Sequence, residues 1–168
     1  MPSDPQLQPL RFCSRCTGEL ETRELHGYLR PVCGTCGFVV YISPKVSCAV
    51  VLERDGRVLL VKRRNEPGRG LWCLPCGFAE ADEAPEIAAA REALEETGLH
   101  VAIGQLLGAY HYTDDPRGAG IMLAYRAVSA DGDLIAADDA DDARFFAPDA
   151  LPPLSHHTHR RALQDYFA

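Results

Sequence analysis

Short runs of aliphatic and β-branched residues recur along the chain, separated by stretches rich in Gly, Pro and charged residues. Runs of this length and composition fit the interior of a sheet, and they predict strands at 46–52, 58–61, 71–74, 99–112 and 121–128. Turn residues at 54–56 lie between the first two runs. We therefore predict that these two strands form a β-hairpin.

Helical periodicity replaces this pattern over 84–97, where Pro85 stands in the first turn and Gly98 follows the last. Ile87, Ala90 and Leu94 recur at helical spacing, and we expect them to face the core. A second helix is predicted over 155–167. Because strands precede and follow the central helix without regular βα alternation, we expect an α+β layered fold.

Two Cys-x2-Cys pairs, Cys13 with Cys16 and Cys33 with Cys36, punctuate the N-terminal part of the chain. Four thiolates at this spacing can converge on a structural zinc ion, with iron or free thiols as alternatives. We predict a flexible lead-in over 1–10, an all-β zinc ribbon over 11–43 and a catalytic-size domain over 44–168. A third pair, Cys73 and Cys76, has no second pair to complete a site, and we interpret its spacing as coincidence.

Charge and hydropathy exclude several classes of partner. The 168 residues include 17 basic and 24 acidic side chains, for a net charge of −7, so a nucleic-acid partner is not expected. The sequence contains no run of about 18 apolar residues, so no membrane span is predicted. The first five residues lack the basic and apolar regions of a secretory signal, so we expect a cytoplasmic location.

Three carboxylates, Glu92, Glu95 and Glu96, occupy neighbouring positions on one side of the predicted helix over 84–97. Their mutual repulsion costs a few tenths of a kcal/mol per pair, roughly, and a bound divalent cation would remove that cost. The alternative is a solvated acidic helix face.

A longer pattern surrounds these carboxylates: Gly77-x5-Glu83-x7-Arg91-Glu92-Ala93-Leu94-Glu95-Glu96-Thr97-Gly98-Leu99. This segment resembles the signature of the Nudix hydrolases, with Ala93 small where a bulky aliphatic residue is usual. The preceding Trp72-x-x-Pro75-Cys76-Gly77 is similar to the usual entry to that signature, with Cys76 in place of a Gly. The ribbon and this domain together resemble the zinc-ribbon subgroup, which includes NADH, FAD and ADP-ribose diphosphatases.

The resemblance implies an α/β/α sandwich that hydrolyses a nucleoside diphosphate linked to another moiety by attack of water on phosphorus. It implies that Glu92, Glu95 and Glu96 bind Mg²⁺ or Mn²⁺ with the Gly77 carbonyl, while Glu83 and Arg91 orient the helix and loop. A homodimer is possible on the same ground. Asp142 is the general-base candidate, because acidic residues often precede a short strand such as 144–146 in the family; a signature Glu is the rival.

Substrate contacts are open to two interpretations. Arg63 and Arg64 either contact phosphates or lie at a solvated strand end, and Trp72, Tyr110 and Tyr112 either stack on adenine or flavin or belong to the core. For His156, His157 and His159, at the start of the last helix, we favour a surface or capping role, with substrate contact as the alternative.

The strand at 108–113 lacks the Ser-Gln-Pro-Trp motif of NADH-type members, which disfavours NADH. We therefore favour ADP-ribose or FAD as the small-molecule substrate. The alternatives are an NADH or NAD-cap diphosphatase and a Nudix-like nucleotide sensor that does not hydrolyse its ligand.

Overall fold

The computed structural model describes residues 10–168, so the predicted lead-in over 1–10 lies outside the described residues except for Leu10. The chain divides into two compact units between Pro44 and Lys45. In the first unit, strands β1 (Leu20–Leu25) and β2 (Tyr28–Cys33) form an antiparallel pair. Its tight turn, at His26 and Gly27, has positive φ angles of 53° and 81°. The first unit is therefore a small β-hairpin unit flanked by the cysteine pairs.

The second unit contains two four-stranded sheets. The first sheet has the order β7-β3-β9-β8, from β3 (Lys45–Val51), β7 (Cys76–Phe78), β8 (His100–Tyr112) and β9 (Gly120–Asp131). In it β3 runs parallel to β9, and the other neighbours are antiparallel. The second sheet joins β4 (Glu53–Arg54), β5 (Arg57–Arg63), β6 (Trp72–Cys73) and β10 (Ala140–Phe146), with β5 between its neighbours. Helix α1 spans Pro85–Thr97 and helix α2 spans His157–Phe167, after a short 3-10 turn at Pro148–Ala150.

The predicted hairpin between 46–52 and 58–61 is wrong in its pairing. The turn at Asp55 and Gly56 exists, but β5 pairs there with the two-residue β4, whereas β3 lies in the other sheet between β7 and β9. The residues from Cys48 to Val51 are all buried, which is typical of a central strand covered on both faces. The continuous apolar run over 46–52 is therefore a central strand and not the arm of a hairpin.

Residues of β3 alternate between two cores. Cys48 and Val50 pack in a cluster with Ala88 of α1, and Ala49 packs in a cluster with Leu163 of α2. The two helices thus cover opposite sides of the sheet layers. This arrangement confirms the expected α/β/α sandwich with an N-terminal β-hairpin unit.

The bounds of α1 agree with the prediction, but its buried face does not. The N-cap is Ala84 with Pro in the first turn, and Gly98 caps the other end with φ 70° and an N–H donated to the Leu94 carbonyl. Ile87 is 60% exposed and Leu94 is 37% exposed, so the predicted apolar stripe faces outward.

Three alanines of α1 make the buried contacts instead: Ala88, Ala89 and Ala93. Their small side chains bring the helix close to the sheet. The same side of α1 carries Glu96, which is 2% exposed. The helix therefore turns carboxylates inward, toward the other elements of the unit.

Candidate active site

A cavity of about 330 Å³ opens in the second unit, where β7, α1, the β8–β9 loop and the start of α2 come together. Its lining contains both acidic and basic side chains. The acidic residues are Glu80, Glu92, Glu95, Asp115, Asp138 and Asp139, and the basic and imidazole side chains belong to Arg63, Arg117, His156 and His159. Such a cavity suits a ligand that carries negative charge and is bound together with a cation.

Gly77 and Glu92 lie in close contact at the wall of this cavity. A Cβ built on Gly77 would overlap with the carboxylate of Glu92, so the residue at this position must be glycine if that carboxylate is to stay in place. Burial raises the pKa of Glu92 above its ordinary value, and the neighbouring Arg91 partly offsets that rise. The sequence interpretation placed these two residues together, and they are adjacent.

Glu96 lies behind the cavity rather than in its lining. Its Oε2 accepts a hydrogen bond of 2.9 Å from the backbone N–H of Cys76. Burial raises the pKa of Glu96 well above its usual range, and the nearby Cys73 thiol and Asp139 carboxyl raise it further. A buried carboxylate among other acids is costly unless a proton or a cation balances the charge.

Arg91 forms hydrogen bonds with several residues of the segment 77–99. Its guanidinium donates to Glu83 at 2.6 Å, to Glu92 at 2.7 Å and to Glu95 at 3.0 Å. It also donates to the Phe78 carbonyl at 3.1 Å, which joins α1 to β7. Its hydrogen bonds hold the pKa of Glu83 below its ordinary value. These hydrogen bonds connect α1 to Phe78 and Glu83, and neither Arg91 nor Glu83 lines the cavity.

The donor types at this wall suit a hard divalent cation, but the three predicted carboxylates do not converge. Among residues 10–168, only the four cysteines bring three or more ligand atoms within 4.8 Å of one another, and Glu92 and Glu95 are instead paired with Arg91. Carboxylates and a backbone carbonyl are the oxygen ligands that such ions take, and the Gly77 backbone approaches Glu92 without an intervening side chain. Glu92 and Glu96 both have raised pKa values because burial disfavours their charge, and a cation would relieve this.

The predicted substrate contacts are divided between the cavity and other places. Arg63 lines the cavity, and its Nε donates to the Pro67 carbonyl at 2.8 Å. Arg64 lies outside the lining, because its guanidinium binds Asp141 at 2.8 Å and the Ala140 carbonyl at 3.1 Å. Only the first of these two arginines therefore faces the space where a ligand would bind.

The three aromatic candidates are mainly core residues. Trp72 packs edge-on against Phe146 with ring centroids 4.7 Å apart. Tyr110 is 2% exposed, and its hydroxyl donates to Asp165 at 2.7 Å. Tyr112 is also buried, but it borders the cavity. Trp72 and Tyr110 are therefore core residues, and Tyr112 is the one of the three that is positioned to contact a ligand.

Asp142 does not line the cavity. It stands opposite Lys62 in the sheet, and its carboxylate pairs with Arg144 at 2.6 Å. Asp139 is the acidic residue that reaches both the cavity and the Glu96 side chain. No residue pattern distinguished these two aspartates, since both belong to one acidic run, although Asp139 precedes β10 and Asp142 lies within it.

Further cavity residues were not predicted as functional. Asp115 and Arg117 come from the β8–β9 loop, and His159 from α2. The Nδ1 of His159 accepts the Leu74 N–H at 3.3 Å, and burial lowers the pKa of this histidine to about 3. His159 therefore has a structural contact and a neutral ring, whereas a surface or capping role was expected.

In the first unit, the four predicted zinc ligands converge. The thiol groups of Cys13, Cys16, Cys33 and Cys36 all lie within 4.8 Å of one another. Backbone hydrogen bonds, chiefly from Cys36, lower the pKa of Cys33 to about 6, which favours a thiolate. This arrangement suits a tetrahedral structural zinc and is consistent with a zinc ribbon.

Three comparisons with known proteins place this architecture in context. A family model described as the NUDIX domain matches residues 43–166. An ADP-ribose pyrophosphatase from Methanocaldococcus jannaschii is 41% identical over 128 residues, covering 76% of this chain and 75% of that protein. A crystal structure of a NUDIX hydrolase from Nitrosomonas europaea superposes with a TM-score of 0.80 at 30% identity, covering 94% of this chain and 90% of the other.

The NAD-capped RNA hydrolase NudC of Pseudomonas aeruginosa is a more distant relative. It is 32% identical over 146 residues, covering 86% of this chain but 50% of that protein. The chain thus spans about half the length of this relative. Within residues 10–168, no helix is long and apolar enough to cross a membrane.

Proposed function

Because the chain belongs to the Nudix hydrolase family and is a pyrophosphatase, we propose that its substrate is ADP-ribose, cleaved to AMP and ribose 5-phosphate. The observation that supports this choice is the 41% identity to an ADP-ribose pyrophosphatase across three quarters of both chains. FAD is the second candidate, since it presents the same diphosphate linked to adenosine. An NAD-cap substrate is favoured less, because residues 108–113 lack the Ser-Gln-Pro-Trp motif expected of NADH-type members.

The carboxylates Glu92, Glu95 and Glu96 are the proposed ligands of Mg²⁺ or Mn²⁺, with the Gly77 carbonyl. Such an ion neutralises diphosphate charge and lowers the pKa of the attacking water. The contribution of the chain is to hold these oxygens in place. Arg91 orients Glu92 and Glu95, and the Cys76 N–H orients Glu96.

A general base must lie within reach of water in the cavity. Asp142 remains a prediction, with its carboxylate engaged by Arg144. Asp139 is better positioned, because it lines the cavity and contacts Glu96. We therefore favour Asp139 over Asp142 as the residue that takes the proton of the attacking water, and a signature Glu stays the rival.

On the substrate side, we propose that Arg63 contacts the diphosphate and Tyr112 the adenosine portion, since both border the cavity. Zinc bound by the four cysteines is proposed to fold the ribbon, and a reducing cytoplasm would keep their thiols available. A homodimer stays a prediction from the family resemblance.

The test is a substrate panel with purified protein and Mg²⁺ or Mn²⁺, comprising ADP-ribose, FAD, NADH, NAD⁺ and nucleoside triphosphates. The proposal expects AMP release from ADP-ribose with the highest kcat/KM. Preference for FAD would move the assignment to the second candidate. Tight binding of one nucleotide without turnover would instead support a sensor.

A further inference from the structure

Arg117, in the loop between β8 and β9, is held rigidly at the cavity by its neighbours. Its Nε and Nη2 donate to the two carboxylate oxygens of Asp115 at 2.9 and 2.7 Å. The backbone N–H of Arg117 donates to the same carboxylate at 2.7 Å. The Asp115 side chain is 3% exposed and the Arg117 side chain is 41% exposed, so a buried carboxylate anchors a guanidinium that stays partly accessible.

A second contact is made with an aromatic ring. The central carbon of the guanidinium lies 4.9 Å from the ring centroid of Phe78, within the range of a cation–π interaction. Phe78 follows Gly77 in β7, and both line the cavity. Arg117 is therefore fixed on the segment that carries the proposed metal ligand Gly77.

One end of the guanidinium is left available. Within residues 10–168, Nη1 of Arg117 makes no hydrogen bond, whereas Nε and Nη2 are engaged by Asp115. Arginine N–H groups cannot accept hydrogen bonds, so the free Nη1 can only donate to an acceptor in the cavity. An arginine immobilised in this way has lost its side-chain entropy on folding, so it binds an anion at a reduced entropic cost.

We propose that Arg117 is a substrate-binding residue whose Nη1 donates to a phosphate oxygen of the diphosphate, and that Asp115 is the positioning residue for it. This inference rests on the proposed function, because it takes a diphosphate as the ligand. Arg117 then binds the substrate together with Arg63, the other arginine of the cavity. The two arginines supply cationic donors from the protein, apart from the carboxylates that hold the metal.

The experiment compares Arg117→Gln and Arg117→Lys in steady-state hydrolysis of ADP-ribose. Losing a charge-assisted hydrogen bond costs about 10- to 100-fold in affinity. We expect Arg117→Gln to raise KM by this factor with little change in kcat, and Arg117→Lys to recover part of the loss. Asp115→Asn should raise KM in the same direction by a smaller factor, since Arg117 remains but loses its partner.

Arg23→Gln is the matched control. Arg23 also binds a carboxylate two residues away, with its Nη2 donating to Glu21 at 3.0 Å, but it lies in β1 of the first unit. The KM of the Arg23→Gln variant should equal that of the wild type. If Arg117 only stabilised its loop, its variants would lower Tm without changing KM, and that result would overturn the inference.

Binding of α,β-methylene-ADP and of adenosine, measured by calorimetry, identifies the group that Arg117 contacts. Arg117→Gln should weaken binding of the diphosphate analogue and leave binding of adenosine unchanged. Equal weakening of both would place Arg117 at the adenine ring and overturn the inference. A wild-type protein that fails to bind the analogue would also overturn it. Absence of ADP-ribose turnover with analogue binding intact would overturn the proposed function alone.

Discussion

Replacing Gly77 with alanine would place a methyl group where the Glu92 carboxylate now lies. All three nearest atoms to the built Cβ belong to that carboxylate. The backbone has little freedom to move away, because Gly77 is paired with Cys48 in the ladder between β3 and β7. The Glu92 side chain must therefore give way.

The size of the effect follows from this overlap. Non-bonded atoms keep separations of about 3.5 Å, so the carboxylate has to move by on the order of 1 Å or more. Misplacing a catalytic group by about 1 Å costs on the order of 10²-fold in rate. We expect Gly77→Ala to lower kcat by about this factor, and to fold normally because the cavity leaves room for the displaced side chain.

The assay is ADP-ribose hydrolysis with saturating Mn²⁺, accompanied by a thermal denaturation curve. Gly56→Ala is the control: Gly56 has φ 71° in the turn between β4 and β5, and a Cβ there meets nothing within 4 Å. A non-glycine residue in this conformation costs about 1–2 kcal/mol, so the control should lower Tm and keep kcat. A Gly77→Ala enzyme with wild-type kcat would refute the placement of Glu92 at the reacting centre.

Three further predictions concern other residues. Glu95→Gln should lower kcat by about 10²-fold or more at nearly constant Tm, because this side chain is 44% exposed and its loss removes a proposed metal ligand rather than a core group. Cys33→Ser should lower both the zinc content by metal analysis and Tm by calorimetry; unchanged values would remove the structural role of the metal. Burial lowers the pKa of His159 from 6.5 to about 3, so the unfolded chain binds the additional proton between these values. Stability from neutral His159 is therefore complete above about pH 6.5 and falls by up to about 1.4 kcal/mol per pH unit below it, and urea titrations should show a shallower fall for His159→Asn.

Local signals made α1 and the cysteine cluster predictable. Proline in the first turn and glycine at the C-cap define the helix bounds through backbone conformation alone, and the structure has both. The spacing of Cys13, Cys16, Cys33 and Cys36 reflects two tight turns that bring the thiols together. In each case a few neighbouring residues determine the geometry, so the sequence is sufficient.

Tertiary packing determined the features that the sequence interpretation missed. Ile87 and Leu94 are larger and more apolar than Ala88, yet the sheet accepts the small side chain because it allows the helix to approach closely. Arg117 reaches the cavity because β8 and β9 are long enough to carry their loop to Phe78. Asp115 is only two residues away, but no motif in the loop indicates the contact with Phe78, which lies in β7 and is distant in sequence.

The most direct test of the central claim is hydrolysis of ADP-ribose by the wild-type enzyme in isotopically labelled water, with mass spectrometry of both products. Attack of water on phosphorus predicts AMP and ribose 5-phosphate in equal amounts, with one labelled oxygen in the phosphate of one product. Products with no label in either phosphate, or the absence of AMP, would contradict hydrolysis of the diphosphate bond.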